Sequence, residues 1–543
     1  MKWTTVTAAN QILSREQGSV TKDWGGRLPI ALIYPNTYYV GMSSLAVHTL
    51  YRMLNAEPDV VCERVFHGHR RLDRNSVPIS LETQRPLPEF GLLAATLSFE
   101  LDYLNLVMML RNAGMPALAA DRDETWPLLL AGGPAVSANP EPLAELCDAF
   151  VIGEVEEILP FLLEALRDGL LGGKEAALQN LALVPGVYIP LPAGDPLPVQ
   201  RQWVKNLDAY PTHTSVFTRA TRFGGMYLTE IGRGCARGCR FCLAGRIYRP
   251  RRERTAAMLL EHIRRGRPPR FKVGLISAAV SDYSQTEELV CGLQDMGIKI
   301  SVSSMRVDPL PESLLAAIAA GGTRTLTVAP EAGSQRLRSA IGKSIHREHI
   351  LAAARRASDH GFPELKLYFM VGLPTEEQDD IQAIIELVRE TSRVFPRRIT
   401  VSVACFVPKA HTSFERQPMA PAPILRRHLR LIQTSLRSIG VRTTFESTPW
   451  AGVQAVLARG DRLLGPVLAS LRSPTLAHWK QALKDHDLHS EQYTRARETS
   501  ECLPWDFVDV SVSAQPTEDK QTAHDHTDGG RPARTPNDGH TPT

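Results

Sequence analysis

Three cysteines stand close together in the stretch EIGRGCARGCRFCLAG, as Cys235, Cys239 and Cys242. Thiolates are the usual ligands of iron–sulfur clusters. Three of them in one short loop can each bind one iron of a four-iron cubane, which leaves the fourth iron without a protein ligand. An incomplete protein shell provides an open coordination position for a small molecule, as it does at catalytic zinc. The spacing therefore predicts a 4Fe–4S cluster with one open site.

Two alternatives use the same cysteines. A structural zinc site could take Cys239 and Cys242 as one pair, but such sites need four ligands. The nearest downstream His or Cys is His262, inside a predicted helix, and no second CxxC exists. An electron-transfer cluster would normally use four cysteines. The other cysteines are scattered singly and predict buried, unreactive thiols: Cys62, Cys147, Cys291, Cys405 and Cys502.

The cysteines follow a strand-like run, MYLTEI, which opens a series of alternating strands and helices. The further strand-like runs are FKVGLIS, IKISVSS, TRTLTVA, ELKLYFMVG and ITVSVACFV. Six such units fall short of the eight in a full barrel, so the pattern predicts a partial, open (βα)₆ TIM-like barrel over residues 223–440. In such folds chemistry collects on the loops after the C-terminal ends of the strands.

The CxxxCxxC spacing after a first barrel strand, with Phe241 just before the last cysteine, resembles the radical S-adenosylmethionine (SAM) superfamily. The resemblance implies that the amino and carboxylate groups of SAM chelate the open iron and that the backbone at Phe241 contacts the adenine. It also implies reductive cleavage of SAM to a 5′-deoxyadenosyl radical that abstracts hydrogen from a substrate. An electron donor such as flavodoxin or ferredoxin is implied as a partner.

A second segment, FMVGLPTEE, follows the fifth strand and resembles the superfamily's glycine-bearing adenine-side loop. This resemblance implies Gly372 and Pro374 as SAM contacts; an ordinary strand-to-helix turn capped by Thr375 is the alternative. The superfamily's glycine–glycine–glutamate element after the second strand is absent. The sequence SAAVSDYSQ from Ser277 takes its position.

A third segment, APEAGSQRL, follows the fourth strand and resembles an element near the SAM ribose in cobalamin-linked and methylthio-transferring radical enzymes. The resemblance implies Glu331, Gly333 and Ser334 as cofactor contacts. A solvated carboxylate at the strand end is the alternative for Glu331, because surface acids are common.

The N-terminal part of the chain shows a separate alternation. RLPIALIYP, FGLLAATLSF, WPLLLAGGP and DAFVIGE are strand-like runs with helical stretches between them, which predict an open, doubly wound parallel sheet over residues 27–165. Residues 166–222 are rich in proline and glycine and predict a connector with short strands. A small, partly helical appendage is expected over 441–512, and a disordered tail over 513–543.

The resemblance extends over roughly residues 27–512, through segments such as YPNTYYVGMSSL and AGGPAVSANPEPL. They resemble uncharacterised radical SAM proteins with a cobalamin-domain-like N-terminal module. Glycines at predicted strand ends (Gly41, Gly132, Gly133, Gly153) suit the rim where open α/β sheets bind ligands. The D-x-H-x-x-G element is missing, since His67 and His69 lack that context. Both a degenerate domain and cobalamin bound without a histidine ligand stay open.

Composition excludes several classes of protein. The 543 residues carry a net charge of only +4, so no strong field toward nucleic acid or membrane follows. No apolar run predicts a membrane span, and the N-terminus lacks the apolar core of a signal peptide, so a cytoplasmic protein is expected. Thirteen Arg or Lys stand between positions 233 and 272, densest in RPRRER. They either attract an anionic substrate or offset nearby negative groups.

These observations lead to three hypotheses. The first is a radical SAM enzyme with an unknown substrate. The second is a cobalamin-dependent radical SAM methyltransferase. The third, from a different class, is a non-catalytic protein that binds an iron–sulfur cluster or zinc.

Overall fold

The computed structural model describes residues 3–68, 76–191, 196–268, 271–302 and 305–512. His69 and the predicted tail over 513–543, with its histidines, lie outside the described residues. Met1–Val510 form one unit, and two α/β modules are distinguished within it. No helix in the described ranges is long and apolar enough to cross a membrane.

The N-terminal module is built on a six-stranded sheet with the strand order β2-β1-β3-β4-β5-β6. Strands β1 to β5 are parallel, and β6 pairs antiparallel with β5. Parallel neighbours need crossover connections, so helices cover both faces. The elements are α1 (Trp3–Leu13), β1 (Leu28–Tyr34), α2 (Tyr38–Gly41), α3 (Leu45–Ala56), β2 (Val60–Phe66), β3 (Leu92–Thr96), α4 (Asp102–Asn112), β4 (Leu128–Gly132), α5 (Pro134–Ala138), β5 (Ala149–Val151), α6 (Leu159–Leu171), α7 (Lys174–Ala182) and β6 (Val187–Tyr188).

The strand β2 lies within the predicted sheet, but the sequence pattern did not predict it. All seven of its residues are buried, but two of them, Glu63 and Arg64, interrupt the apolar run. Arg64 is held by Glu16 at 2.6 Å and by Glu82 at 2.7 Å. A buried cation is tolerated when carboxylates satisfy it, so tertiary pairing rather than local hydrophobicity allows this strand.

The second module is a partial barrel whose parallel strands lie in chain order. One ladder joins β8, β11 and β12, and another joins β13 to β16. A parallel bridge between Met305 and Val328 links the two. Strand β7 (Val199–Gln200) precedes the barrel and pairs with a short strand over Val508–Asp509. The elements of the barrel module are β8 (Met226–Glu230), β9 (Gly232–Arg233), α8 (Ala244–Ile247), β10 (Arg252–Glu253), α9 (Ala256–Gly266), β11 (Lys272–Ile276), α10 (Thr286–Asp295), β12 (Ile300–Val302), α11 (Glu312–Ala320), β13 (Thr325–Glu331), α12 (Gln335–Ala340), α13 (Arg347–Asp359), β14 (Glu364–Val371), α14 (Gln378–Val394), β15 (Arg398–Cys405), α15 (Ala422–Arg437) and β16 (Arg442–Phe445).

The α/β architecture with a partial parallel barrel is confirmed. The structure adds β16, a short seventh barrel strand beyond the six of the sequence pattern. It also places the end of α6 and all of α7 in the segment 166–222, beside the expected short strands. The domain boundaries themselves stay predictions.

The C-terminal segment returns to the N-terminal module. Its elements are α16 (Thr448–Arg459), α17 (Leu464–Ser470), α18 (Leu476–Asp485), α19 (Ser490–Thr494) and β17 (Val508–Asp509). Val456, Leu468 and Trp479 of these helices join the same buried core as one face of the N-terminal sheet. The segment therefore completes the helical cover that a parallel sheet requires on that face.

Candidate functional site

The three cysteines lie on a closed loop at the C-terminal end of β8, the first barrel strand. The short antiparallel pair β9–β10 brackets this loop, with Arg233 opposite Arg252. Gly234 enters the loop with φ +84°, and a Cβ there would lie 2.3 Å from the carbonyl oxygen of Tyr248. Only glycine allows this close return of the chain, so the bracket fixes where the cysteine loop begins and ends.

The cysteine loop also docks on the turn after α12. The N–H of Arg240 donates to the carbonyl of Ile341 at 3.0 Å. Gly342 has φ +70°, and a Cβ there would lie 2.7 Å from the carbonyl oxygen of Gly238. This contact places Lys343 close to Cys239, where it is the largest charge acting on that thiol.

All three thiols are half-buried and none is in a disulfide. Burial raises the pKa of Cys239, an effect that the nearby Lys343 and Arg306 oppose. Burial also raises the pKa of Cys242, against N–H groups of Gly245 and Ala244 that favour its thiolate. Because metal binding deprotonates thiols, cluster assembly here would release protons.

The donor set of this loop is three thiols, the ligand type that iron–sulfur clusters use. Among the described residues, no three His, Cys, Asp or Glu side chains are drawn together around a single point in the way one metal ion requires. A cubane does not need such convergence, since each thiolate binds a different iron. Cys235, Cys239 and Cys242 nevertheless act on one another electrostatically, as neighbours on one loop should.

Phe241 packs where the later barrel strands end. It lies half-buried against an apolar cluster that includes Ala332 after β13, Leu373 after β14 and Phe406 after β15. The same mouth holds Gly372, with φ +82°, and Pro374. The structure thus brings the predicted adenine-side residues to one end of the barrel. Their contact with SAM stays a prediction.

The alternative of a turn capped by Thr375 is wrong in its detail. Helix α14 begins at Gln378 and its N-cap is Glu377, which forms a capping box with Asp380. The N–H of Gly372 instead donates to Oε1 of Glu376 at 2.8 Å. Burial raises the pKa of Glu376 to about 7, so a buried carboxyl group holds this loop.

The residues after β13 have individual local roles. Glu331 ends the strand with φ +69°, and its Oε1 lies 3.1 Å from Nζ of Lys343. Ser334 caps α12 by accepting from the N–H of Leu337, and its hydroxyl donates to Asp380. A Cβ on Gly333 would lie 2.1 Å from the backbone nitrogen of Ile384, so this glycine permits close packing on α14. These local interactions do not test the predicted cofactor contacts of Glu331, Gly333 and Ser334, which stay predictions.

An ion-pair network joins the two modules beside the cysteine loop. Glu154, after β5, receives Arg233 at 2.8 Å and Arg252 at 2.8 Å. Arg233 also reaches Glu156 and Glu230, both at 2.9 Å. Burial opposes ionisation of Glu154, but Arg233 and Arg252 hold its pKa below the ordinary value. Both arginines therefore neutralise buried carboxylates. Part of the basic stretch thus links the barrel to the N-terminal module through ion pairs.

A cavity of about 560 Å³ opens between the modules. Gly132, Gly133 and Gly153 lie on its rim at the C-terminal ends of β4 and β5, and Gly234 of the cysteine loop lies opposite. Its inner part runs between the sheet and the helices α3 and α6, and aliphatic side chains line it: Ile30, Leu32, Leu50, Leu54, Leu92, Leu130, Leu159, Leu162, Leu163 and Leu166. This volume and lining are typical of small-molecule sites.

The rim differs from expectation at Gly41. Gly41 does not line the cavity; it ends α2, where a Cβ would lie 2.4 Å from Cε1 of Phe66. No histidine is among the described residues that line the cavity. Ser277 and Ala278, in the position of the absent glycine–glycine–glutamate element, do line it.

Comparison with known families agrees with this site. The family of radical SAM proteins, N-terminal, matches residues 46–190, and the radical SAM superfamily matches residues 229–388. The chain belongs to the radical SAM superfamily and is an enzyme. Membership implies a 4Fe–4S cluster and SAM as cofactors.

The chain is also similar to individual proteins. It is 34% identical over 453 residues to the uncharacterized protein MJ0966 of Methanocaldococcus jannaschii, covering 82% of this chain and 92% of that protein. The structure of the radical SAM methyltransferase TsrM from Kitasatospora setae aligns with a TM-score of 0.48 at 17% identity, over 72% of this chain and 75% of that one. The cobalamin-dependent SAM radical enzyme OxsB aligns with a TM-score of 0.49 at 14% identity, over 86% and 71%.

Several residues of the site were missed in the sequence. Lys343 stands in a turn with no motif around it, and the lining of the cavity comes from many separate elements. Glu154 and Glu156 stand in DAFVIGEVEE, where acids directly after a buried strand are a signal of a strand-end site.

Proposed function

We propose that Cys235, Cys239 and Cys242 bind three irons of a 4Fe–4S cluster and leave the fourth open to SAM. When bound, the reduced cluster supplies the electron that cleaves SAM to methionine and a 5′-deoxyadenosyl radical. The observation that supports this proposal most is the position of the cysteine loop. It lies at the C-terminal end of β8 and docks on the turn that carries Lys343, at the same barrel mouth as Phe241 and Glu331.

The chain's own residues have distinct tasks at this mouth. The β9–β10 bracket and Gly234 fix the loop, and N–H groups of Ala244 and Gly245 stabilise the Cys242 thiolate. Phe241 and its apolar neighbours provide a surface for an aromatic base and exclude water from it. The N-terminal module contacts the loop through Glu154, which pairs with Arg233 and Arg252.

The reaction needs an electron donor such as flavodoxin or ferredoxin, and a reducing compartment favours the cytoplasm. An anionic substrate stays a proposal. The arginines at positions 233, 252 and 254 are taken up by Glu154, Glu156 and Glu230, so exposed neighbours such as Arg240 would have to attract it.

The test uses protein reconstituted with iron and sulfide without oxygen. We expect about four irons per chain and release of 5′-deoxyadenosine from SAM with dithionite. The prediction that the scattered cysteines are buried is wrong for Cys291 and Cys502, which are exposed. The variant Cys239→Ala should release none, while Cys291→Ala should behave like the parent. Retained release in Cys239→Ala, or one equivalent of zinc without iron and sulfide, would refute the proposal.

The cavity favours a second function, that of a cobalamin-dependent methyltransferase. Its glycine rim faces the cysteine loop, and its aliphatic inner part suits the apolar aromatic base of a corrinoid's nucleotide tail. No histidine is among the described residues that line the cavity. The lining therefore fits a corrinoid whose cobalt has no histidine ligand. A bound corrinoid supplies a methyl carrier, and the rim would hold it toward the barrel.

Purification with added hydroxocobalamin tests this second function. We expect about one corrinoid per chain with a visible spectrum that lacks histidine ligation. No corrinoid uptake by cluster-loaded protein would remove the methyltransferase and leave the first function intact.

A further inference from the structure

We propose that Lys343 and Glu331 together bind the amino-acid end of SAM, with the ammonium of Lys343 on its carboxylate and the carboxylate of Glu331 on its amino group. This inference rests on the proposed function. It assigns a task to Lys343 and supplies an acid for the amino group, because the acid in the segment after β11, Asp282, is already paired with Arg237.

The position of the pair supports the assignment. Lys343 Nζ lies 3.1 Å from Glu331 Oε1, and the two side chains are only 10% and 15% exposed. Both charges act on Cys239, Lys343 more strongly. A ligand chelated to an iron beside that thiol therefore has this pair within reach of its amino-acid group.

The backbone holds both partners firmly. Glu331 ends β13 in the left-handed region at φ +69°, where a residue other than glycine is strained, and such strain collects at functional sites. The turn that carries Lys343 is fixed because its N–H donates to the carbonyl of Arg338 at 2.8 Å and its carbonyl accepts from Ile345 at 2.8 Å. Neither charge is placed by a freely moving loop.

The charges match the ligand. The amino-acid group of SAM is a zwitterion, so inserting it between a cation and an anion exchanges one buried ion pair for two and buries no net charge. Arg306, the other cation near Cys239, is less suited because its Nε donates to the carbonyl of Asp308 at 3.4 Å and lies 4.0 Å from Asp282.

The acid that follows the second barrel strand already has an arginine partner, which makes the Lys343–Glu331 pair more important. There the chain reads SAAVSDYSQ, and its one acid, Asp282, is bound by Arg237 through two hydrogen bonds of 2.9 Å. Glu331, in contrast, is paired with a lysine, Lys343. The flexible side chain of Lys343 can move to bind another anion, which frees the carboxylate of Glu331.

The experiment measures binding rather than turnover. Cluster-loaded protein is titrated without oxygen with SAM, with decarboxylated SAM and with an analogue that has hydrogen in place of the amino group. We expect Lys343→Met to weaken SAM at least about tenfold and to leave decarboxylated SAM unchanged. Glu331→Gln should weaken SAM similarly and leave the analogue without an amino group unchanged.

Two controls make the result decisive. Lys299→Met removes an exposed lysine elsewhere and should change nothing, and Lys343→Arg should keep the preference for SAM over decarboxylated SAM. Equal loss for SAM and its truncated analogues, or no loss, would overturn the inference. If Lys343→Met does not load a cluster, the Glu331→Gln comparison decides alone. Release of 5′-deoxyadenosine by the parent protein tests the proposed function separately.

Discussion

The cysteine loop and the cavity of the N-terminal module face each other, yet they are built in different ways. The loop takes its donors from eight consecutive positions, 235–242, and is tied by hydrogen bonds and a glycine turn. The cavity takes its lining from strands and helices between Ile30 and Ala278. The loop therefore determines which ligand atoms are available, whereas the cavity determines the size and shape of what can bind. A ligand in the cavity would lie against the loop.

The largest expected effect comes from breaking the loop itself. Cys235→Ala removes one of three ligands to the cubane, and two thiolates should not retain it. We expect the iron content of reconstituted protein to fall from about four per chain to below about one. Iron and sulfide analysis measures this, with Cys502→Ala, at an exposed cysteine, as the control. A full complement of iron in Cys235→Ala would mean that another residue ligates the cluster.

The next effect should come from breaking the ion pairs between Glu154 of the N-terminal module and the arginines beside the cysteine loop. Glu154→Gln leaves Arg233 and Arg252 buried with one carboxylate fewer, which costs about 3–5 kcal/mol when a buried pair is broken. We expect lower thermal stability and poorer cluster loading. Glu253→Gln, on β10 but paired with the partly exposed Arg251, should cost less than about 1 kcal/mol. Equal losses in both variants would show that the network does not hold the loop.

The cysteine loop could be predicted from the sequence, whereas the cavity could not. The cysteines, the strand before them and the parallel architecture were predictable, because ligand spacing and apolar alternation are local signals. Strand β2 was not, since Arg64 is compensated by Glu16 and Glu82 from elsewhere in the chain. Lys343 and the cavity were not, because each depends on elements that only the folded chain brings together.

A smaller effect should follow from filling the cavity without touching the loop. Ala94 on β3 lines its inner part, and Phe there would occupy space needed by a ligand. We expect Ala94→Phe to weaken hydroxocobalamin binding about tenfold or more while the iron content stays unchanged. Leu183→Phe, at a residue 83% exposed, is the control. Unchanged corrinoid affinity in Ala94→Phe would place that ligand outside the cavity.

A pH-dependent effect concerns the carboxyl group of Glu376, which accepts from the N–H of Gly372. The folded-state pKa of Glu376, about 7, lies above its ordinary value of 4.5. Folded protein therefore keeps a proton that the unfolded chain releases, so this group's contribution to stability falls as the pH rises from about 4.5 to 7. Glu376→Gln should be more stable than the parent by on the order of 2 kcal/mol at pH 8 and similar at pH 5. Urea unfolding at both pH values checks this; a pH-independent difference would contradict it.

A cubane held by three cysteines keeps one iron open to SAM, so its spectrum should respond to SAM. The most direct measurement is the electron paramagnetic resonance spectrum of dithionite-reduced, reconstituted protein with and without SAM. We predict the signal of one reduced 4Fe–4S cluster whose g-values change when SAM is added, because SAM binds the open iron. Identical spectra under both conditions, or no cluster signal in iron-loaded protein, would contradict the account.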